Sequence, residues 1–132
     1  MKPTKILVVD DDMTICELFV TYLQMYGFAA KFAVNGEEAL ATLDKESFQA
    51  VITDLKMGKV DGHAVLRYAK KIAPETMLIM MTGYCEEENE QQALANGADY
   101  FFCKPVPMKE LLHSLPSPAE VADLGATSPC CC

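Results

Sequence analysis

The sequence predicts an α/β protein, one parallel sheet of five strands with helices on both of its faces. Three observations predict it. Short apolar runs recur along the chain, at Ile6–Val9, Phe28–Ala33, Ala50–Thr53, Thr76–Met81 and Asp99–Phe102. Between them lie segments whose apolar residues return at helical spacing. The first run is continuously apolar instead of alternating, which suits a strand covered on both sides. Strands that alternate with helices require crossover connections, which are right-handed and make neighbouring strands parallel.

Each element has its own signals. After the Ile6–Val9 strand, Ile15, Leu18, Phe19, Tyr22, Leu23 and Tyr26 recur at helical spacing, and Gly27 stops that helix. Phe28–Ala33 is the second strand, and Asn35-Gly36 opens a helix carrying Ala39, Leu40 and Leu43. Ala50–Thr53 is the third strand, ending at Asp54, with the loop Leu55–Asp61 after it. Gly62–Ile72 is helical, with Val65, Leu66, Ala69 and Ile72 on one face. Thr76–Met81 is the fourth strand, and Glu86–Asn96 a helix whose first-turn acids complement the helix dipole. Asp99–Phe102 is the fifth strand. Met108–Ser114 makes a short fifth helix that Pro116 and Pro118 keep from continuing. A domain over residues 1–115 is expected, followed by a tail over 116–132 in which Ser117–Glu120 has a capping-box pattern.

The 132 residues suffice for one domain with a real core. With 51% hydrophobic and 23% charged residues, the composition is that of an ordinary globular protein. The net charge of −8 repels phosphate backbones and attracts divalent cations, which argues against a nucleic-acid binder. The apolar runs are too short to cross a bilayer, and Lys2 and Lys5 precede too few apolar residues for a secretory signal. A cytoplasmic protein without membrane attachment is expected. The six cysteines, Cys16, Cys85, Cys103 and Cys130–Cys132, contain no pair at zinc-site spacing. Reduced thiols are expected, with Cys16 and Cys103 as small buried hydrophobes.

The strand ends carry the chemistry. In parallel α/β sheets, functional groups gather beyond the carboxyl ends of the strands. Here those ends are Asp10-Asp11-Asp12, Asp54, Thr82 and Lys104. Carboxylates gathered in one place repel one another unless a hard cation with oxygen ligands neutralises them. Mg²⁺ suits such a site, because it takes one or two carboxylates and keeps waters for a phosphate-bearing partner. One hydroxyl and one ammonium suit a phosphoryl group, whose transfer depends mainly on positioning and charge neutralisation.

At these residues the sequence resembles the receiver domains of response regulators in two-component signalling, over roughly residues 4–115. The resemblance rests on ILVVDD, NGEEAL, VITDLKM, VDG, LIMMTGY, GADYF and KPV, in that order. It implies a flavodoxin-like, doubly wound sheet in the order 2-1-3-4-5. It implies that Asp54 accepts phosphate from the phosphohistidine of a sensor histidine kinase or phosphotransfer protein. Asp10 and Asp11 would hold Mg²⁺ with Asp54 and the backbone carbonyl of Lys56, and Asp12 would cap the first helix. Thr82 would contact the phosphoryl group, Lys104 would pair with it, and the Lys104–Pro105 bond would be cis. Thr82 and the aromatic residue Phe101 would form the switch. The fourth helix, fifth strand and fifth helix would then act on a downstream effector or output domain. Such a module is a phosphoacceptor and not a true enzyme, with self-phosphotransfer and autodephosphorylation as its only reactions. The chain would be a lone receiver or a piece of a longer regulator.

Two positions and one element depart from the family pattern. Phe101 stands where Tyr is common, so a switch there works by packing alone. Gly58 replaces a usual Pro and gives the loop beside Asp54 more conformational freedom. The fifth helix is short, which disfavours a homodimer through the helix 4–strand 5–helix 5 face.

Asp10-x-Asp12-x-Thr14 after an apolar strand also resembles the first motif of haloacid dehalogenase-like phosphatases, with Asp10 as nucleophile and Asp12 as acid/base. No acidic pair follows Lys104 at a later strand end, and Asp54 would have no role. A dinucleotide-binding half-domain would need a glycine-rich cradle where the acids stand. His63 and His113 are expected at the surface, and Met77, Met80 and Met81 in the sheet core. Glu86–Glu88 starts a helix beside Thr82, and Tyr84 borders the site, where it and Lys56 would tune phosphoryl lifetime.

Overall fold

Ile6, Leu7, Val8 and Val9 are fully buried, and with Lys5 they form β1 (Lys5–Val9), an inner strand of the sheet. The protein is described here from a computed structural model over residues 4–116. The turn expected at Ser117–Glu120 and the run Cys130–Cys132 lie outside the described residues. After β1 come α1 (Met13–Met25), β2 (Ala29–Ala33), α2 (Gly36–Lys45), β3 (Ala50–Asp54) and α3 (Gly62–Ile72). They are followed by β4 (Met77–Thr82), α4 (Glu87–Ala95), β5 (Tyr100–Cys103) and α5 (Met108–Ser114). All four strand pairings are parallel, and the order is β2-β1-β3-β4-β5. Each of the five strands and five helices expected over the described residues is present, and those with stated bounds end within a residue of them.

Strand periodicity divides the core in two. Leu7, Val9, Val51, Leu78 and Met80 face α2, α3 and α4, meeting Ala39, Leu43, Val65, Leu66 and Ala93. Ile6, Val8, Ile52, Ile79 and Met81 face α1 and α5, meeting Leu23 and Leu111. The sheet is therefore doubly wound. Burying each such aliphatic side chain is worth about 1.5–3 kcal/mol against exposure.

The helix starts follow their sequence signals. The Asp12 side chain accepts from the Thr14 and Ile15 amides, Asn35 from Glu38 N at 2.7 Å, and Asp61 from Ala64 N at 3.0 Å. At the opposite rim, Glu46 accepts from Lys5 Nζ at 2.7 Å and also pairs with Lys31, joining β1, β2 and the end of α2. The hydrogen bonds from Lys31 and then Lys5 hold the Glu46 carboxyl down at about 2.

Some expected burials change. Leu18 and Tyr26 of the α1 stripe are exposed, and the fully buried residues there are Cys16 and Leu23. Ile72, at the last turn of α3, is 41% exposed. His63, expected at the surface, is buried because α4 closes over the start of α3. One of its ring nitrogens, Nδ1, lies 3.3 Å from the Asn96 side-chain amide, and Nε2 has no partner. His113 is exposed, and Met80 and Met81 are fully buried.

Candidate functional site

Because every strand runs the same way, β1, β3, β4 and β5 deliver their final residues to one rim. Asp54 pairs in register with Met81, and Thr82 with Cys103. Carboxylate oxygens of Asp10, Asp11 and Asp54 all lie within 4.8 Å of one another. The Lys104 ammonium sits 3.0 Å from Asp10 Oδ2 and 3.5 Å from Asp54 Oδ2. Asp10 and Asp54 are buried, while Asp11 opens to solvent.

Local structure orients each group. Asp10 Oδ1 accepts from Asp12 N at 2.9 Å, and Asp54 Oδ1 from Leu55 N at 2.8 Å, which turns their other oxygens toward Lys104. Gly62 begins α3 directly behind Asp54. A Cβ there would lie 2.2 Å from the Asp54 carbonyl oxygen, so only glycine lets the helix start so close to that backbone. Its amide donates to Leu55 O at 2.8 Å.

The electrostatics are uneven. Burial, the largest influence, raises the Asp54 pKa; Lys104 opposes it, while Asp10 and Asp11 add to the rise. Burial also works against the Lys104 ammonium, but the hydrogen bond to Asp10 and the attraction of Asp54 outweigh it, and its pKa is raised. Lys104 thus satisfies Asp10 first, and Asp54 remains short of positive charge. Three converging carboxylates with one partly committed ammonium fit a divalent cation, whose oxygen ligands they would be.

Thr82 is fully buried, and its Oγ1 accepts from Tyr84 N at 2.9 Å. The Lys104 amide donates to Thr82 O at 2.8 Å, which holds the hydroxyl and ammonium segments side by side. The Lys104–Pro105 bond is cis. Phe101 is half-buried against the core face that carries α2, α3 and α4. Lys56, two residues past Asp54, lays its ammonium 4.8 Å from the Tyr84 ring centroid, so the β3–α3 and β4–α4 loops meet above the rim. Gly58 has φ +92°, a conformation that proline cannot adopt. Its role is therefore a specific backbone shape, beyond the loop freedom the sequence suggested.

The cysteines correct the expectation of reduced thiols. Cys85 and Cys103 form a disulfide, with Cα atoms 5.8 Å apart. Cys103 is exposed instead of buried. Cys16 alone behaves as expected among the described cysteines, fully buried with its thiol donating to Asp10 O at 3.2 Å and its pKa pushed up by burial to about 11. A search for close C-x-x-C spacing misses a pair 18 residues apart. Its only signal is that both cysteines flank the ends of neighbouring strands.

Known proteins place this rim in context. Residues 6–116 match the model of the response regulator receiver domain. The chain is 32% identical over 94% of its length to the transcriptional regulatory protein ZraR of Salmonella typhimurium, of which it covers 28%. It is 37% identical over 94% of its length to the probable transcriptional regulator ycf27 of Pyropia yezoensis, covering 51% of that protein. The chain thus spans roughly a quarter to a half of these relatives. A CheY-like receiver domain protein from Methanospirillum hungatei superimposes with a TM-score of 0.81 at 34% identity, over 85% of this chain and 90% of that one. A response regulator from Burkholderia pseudomallei, solved with a phosphorylated aspartic acid, calcium ion and citrate, gives a TM-score of 0.81 at 26% identity, covering 93% and 71% of the two chains. By family match, sequence and fold, the chain belongs to the response regulator receiver domains, the phosphoacceptor modules of two-component signalling.

Proposed function

We propose that Asp54 accepts a phosphoryl group from the phosphohistidine of a sensor histidine kinase or phosphotransfer protein, with Mg²⁺ held by Asp10, Asp11, Asp54 and the Lys56 carbonyl. The observation that carries this reading is the convergence of three carboxylates and the Lys104 ammonium at one rim. An Asp54 oxygen attacks phosphorus in line with the imidazole nitrogen. The P–O bond forms as the P–N bond breaks, and the imidazole leaves with its electron pair. Bound Mg²⁺ supplies positive charge where the phosphoryl oxygens gather. Lys104 turns from the carboxylates to a phosphoryl oxygen, and the Thr82 hydroxyl donates to another.

The acyl phosphate brings nearly two negative charges and three acceptors to the rim. Thr82 shifts toward them, and Phe101 packs further inward with no hydroxyl to bond. The phosphate favours an active conformer only through contacts it makes better there. The α4–β5–α5 surface carries the change to an effector or output domain. With seven residues, α5 offers a short face for pairing with a second receiver, so a dimer through it is disfavoured. In this reading residues 1–115 are the receiver, 116–132 a tail, and the compartment is the cytoplasm. No helix among the described residues is long and apolar enough to cross a membrane.

Acetyl phosphate with Mg²⁺ tests the proposal. The protein gains a single phosphoryl group, seen by intact mass, and Asp54→Asn abolishes the gain. Continuous turnover of the phosphodonor that survives Asp54→Asn and depends on Asp10 would overturn it in favour of a dehalogenase-like phosphatase.

A further inference from the structure

We propose that Cys85 and Cys103 form a reversible redox-modification site that slows phosphorylation of Asp54 when oxidised; for its readout this rests on the function proposed above. Cys85 lies in the β4–α4 loop three residues past Thr82, and Cys103 ends β5 immediately before Lys104. The β4–β5 register sets Thr82 directly beside Cys103, and Cys85 Sγ lies 3.3 Å from Thr82 O. The bond therefore staples the segment carrying the site's hydroxyl to the segment carrying its ammonium.

The staple does little for the sheet. β4 and β5 are already laddered up to Thr82 and Cys103, and the Lys104 amide continues the contact to Thr82 O. What the bond adds is a restraint on residues 83–85, the loop that must follow Thr82 when its hydroxyl turns to a phosphoryl oxygen. Both cysteines are exposed, so a small reagent can reach them. In a reducing compartment, exposed disulfides of this kind are transient and redox-sensing.

The chemistry is thiol–disulfide exchange with a low-molecular-weight disulfide. The thiolate of one cysteine attacks a sulfur of the reagent and expels one reagent thiolate. The thiolate of the other attacks the protein sulfur of the mixed disulfide and expels the second. The protein loses two electrons and two protons, and the reagent leaves as two thiols. Excess reduced thiol reverses each step.

The test uses the full chain with Cys130–Cys132 changed to Ser, equilibrated with oxidised or reduced glutathione. Trapping with N-ethylmaleimide and peptide mapping should find Cys85 joined to Cys103 in the oxidised sample only. Phosphorylation by acetyl phosphate and Mg²⁺ should be about fivefold or more slower in the oxidised form. The double variant Cys85→Ser/Cys103→Ser, which can form neither the pair nor a mixed disulfide at these positions, should run at the reduced rate under both conditions. Failure of the pair to form, or an oxidised rate equal to or above the reduced one, overturns the inference while leaving the phosphoacceptor function standing. A reduced protein that takes no phosphate overturns the function itself, and this inference with it.

Discussion

Lys104 and Asp10 stand 94 positions apart in the sequence, and their charged groups meet at 3.0 Å. The Asp10 side chain is 1% exposed, so its carboxylate relies on this ammonium in place of water. Replacing Lys104 with Met leaves Asp10 and Asp54 without their shared cation. Such losses cost about 1–3 kcal/mol, more where the stranded group is charged. Urea denaturation should show that loss without divalent ions. Added Mg²⁺ should recover part of it, and a variant as stable as the parent in both conditions would contradict the pairing.

Asp54→Asn should stabilise the ion-free protein while abolishing phosphate uptake. The substitution removes one of three crowded negative charges and keeps an oxygen to accept from Leu55 N. The expected gain is about 1 kcal/mol, the size of a relieved contact between partly screened like charges. Urea unfolding in EDTA reads it, and a less stable Asn variant would contradict the repulsion argument.

The segment from β3 into α3 should tolerate side chains at neither of two glycines, for different reasons. At Gly58 nothing lies within 4 Å of a built Cβ, so Gly58→Ala meets only the φ of +92° and should cost about 1–2 kcal/mol. At Gly62 the Cβ would strike the Asp54 carbonyl oxygen at 2.2 Å. Gly62→Ala should therefore also lower the phosphorylation rate, whereas Gly58→Ala should act mainly on stability. Comparing urea midpoints and acetyl phosphate rates for the two variants separates the causes.

His63 should make stability fall in mild acid. Burial, the main influence, lowers its pKa below the usual 6.5; Asp61 opposes the shift and Arg67 adds to it. The unfolded chain then takes a proton at a pH where the folded one does not. The stability owed to the neutral ring is full above about pH 6.5 and is lost as pH falls through the lower folded value. Urea midpoints measured across this range should slope less in His63→Gln than in the parent. Equal slopes would show that the ring does not titrate as its burial requires.

How much of this was readable in advance depended on the range of the physical signal. Asp10, Asp11, Asp54, Thr82 and Lys104 were legible because each ends an apolar strand, and parallel strands bring their ends to one side. Their convergence needed no knowledge of side-chain packing. The burial of His63 is not legible in the periodicity of α3, which says nothing about α4, the helix that closes over its first turn. Ile72 keeps the helical spacing, yet as the last residue of α3 it is exposed. Gly58 was recognisable as a permissive residue, whereas the sign of its φ follows from the three-dimensional path of the loop. The Cys85–Cys103 pair depends on β4 and β5 being neighbours, a relation between strands that no local spacing encodes.

The Lys5–Glu46 pair, which Lys31 joins from the middle of β2, lies at the amino end of β1 and the acidic cluster at the strands' carboxyl ends. Strands of four to six residues hold the two about 13–20 Å apart. Ions in physiological solution screen exposed charges over about 8 Å. Charge gained at one end is therefore muted at the other, and news of it must cross the molecule as displaced atoms and not as a field.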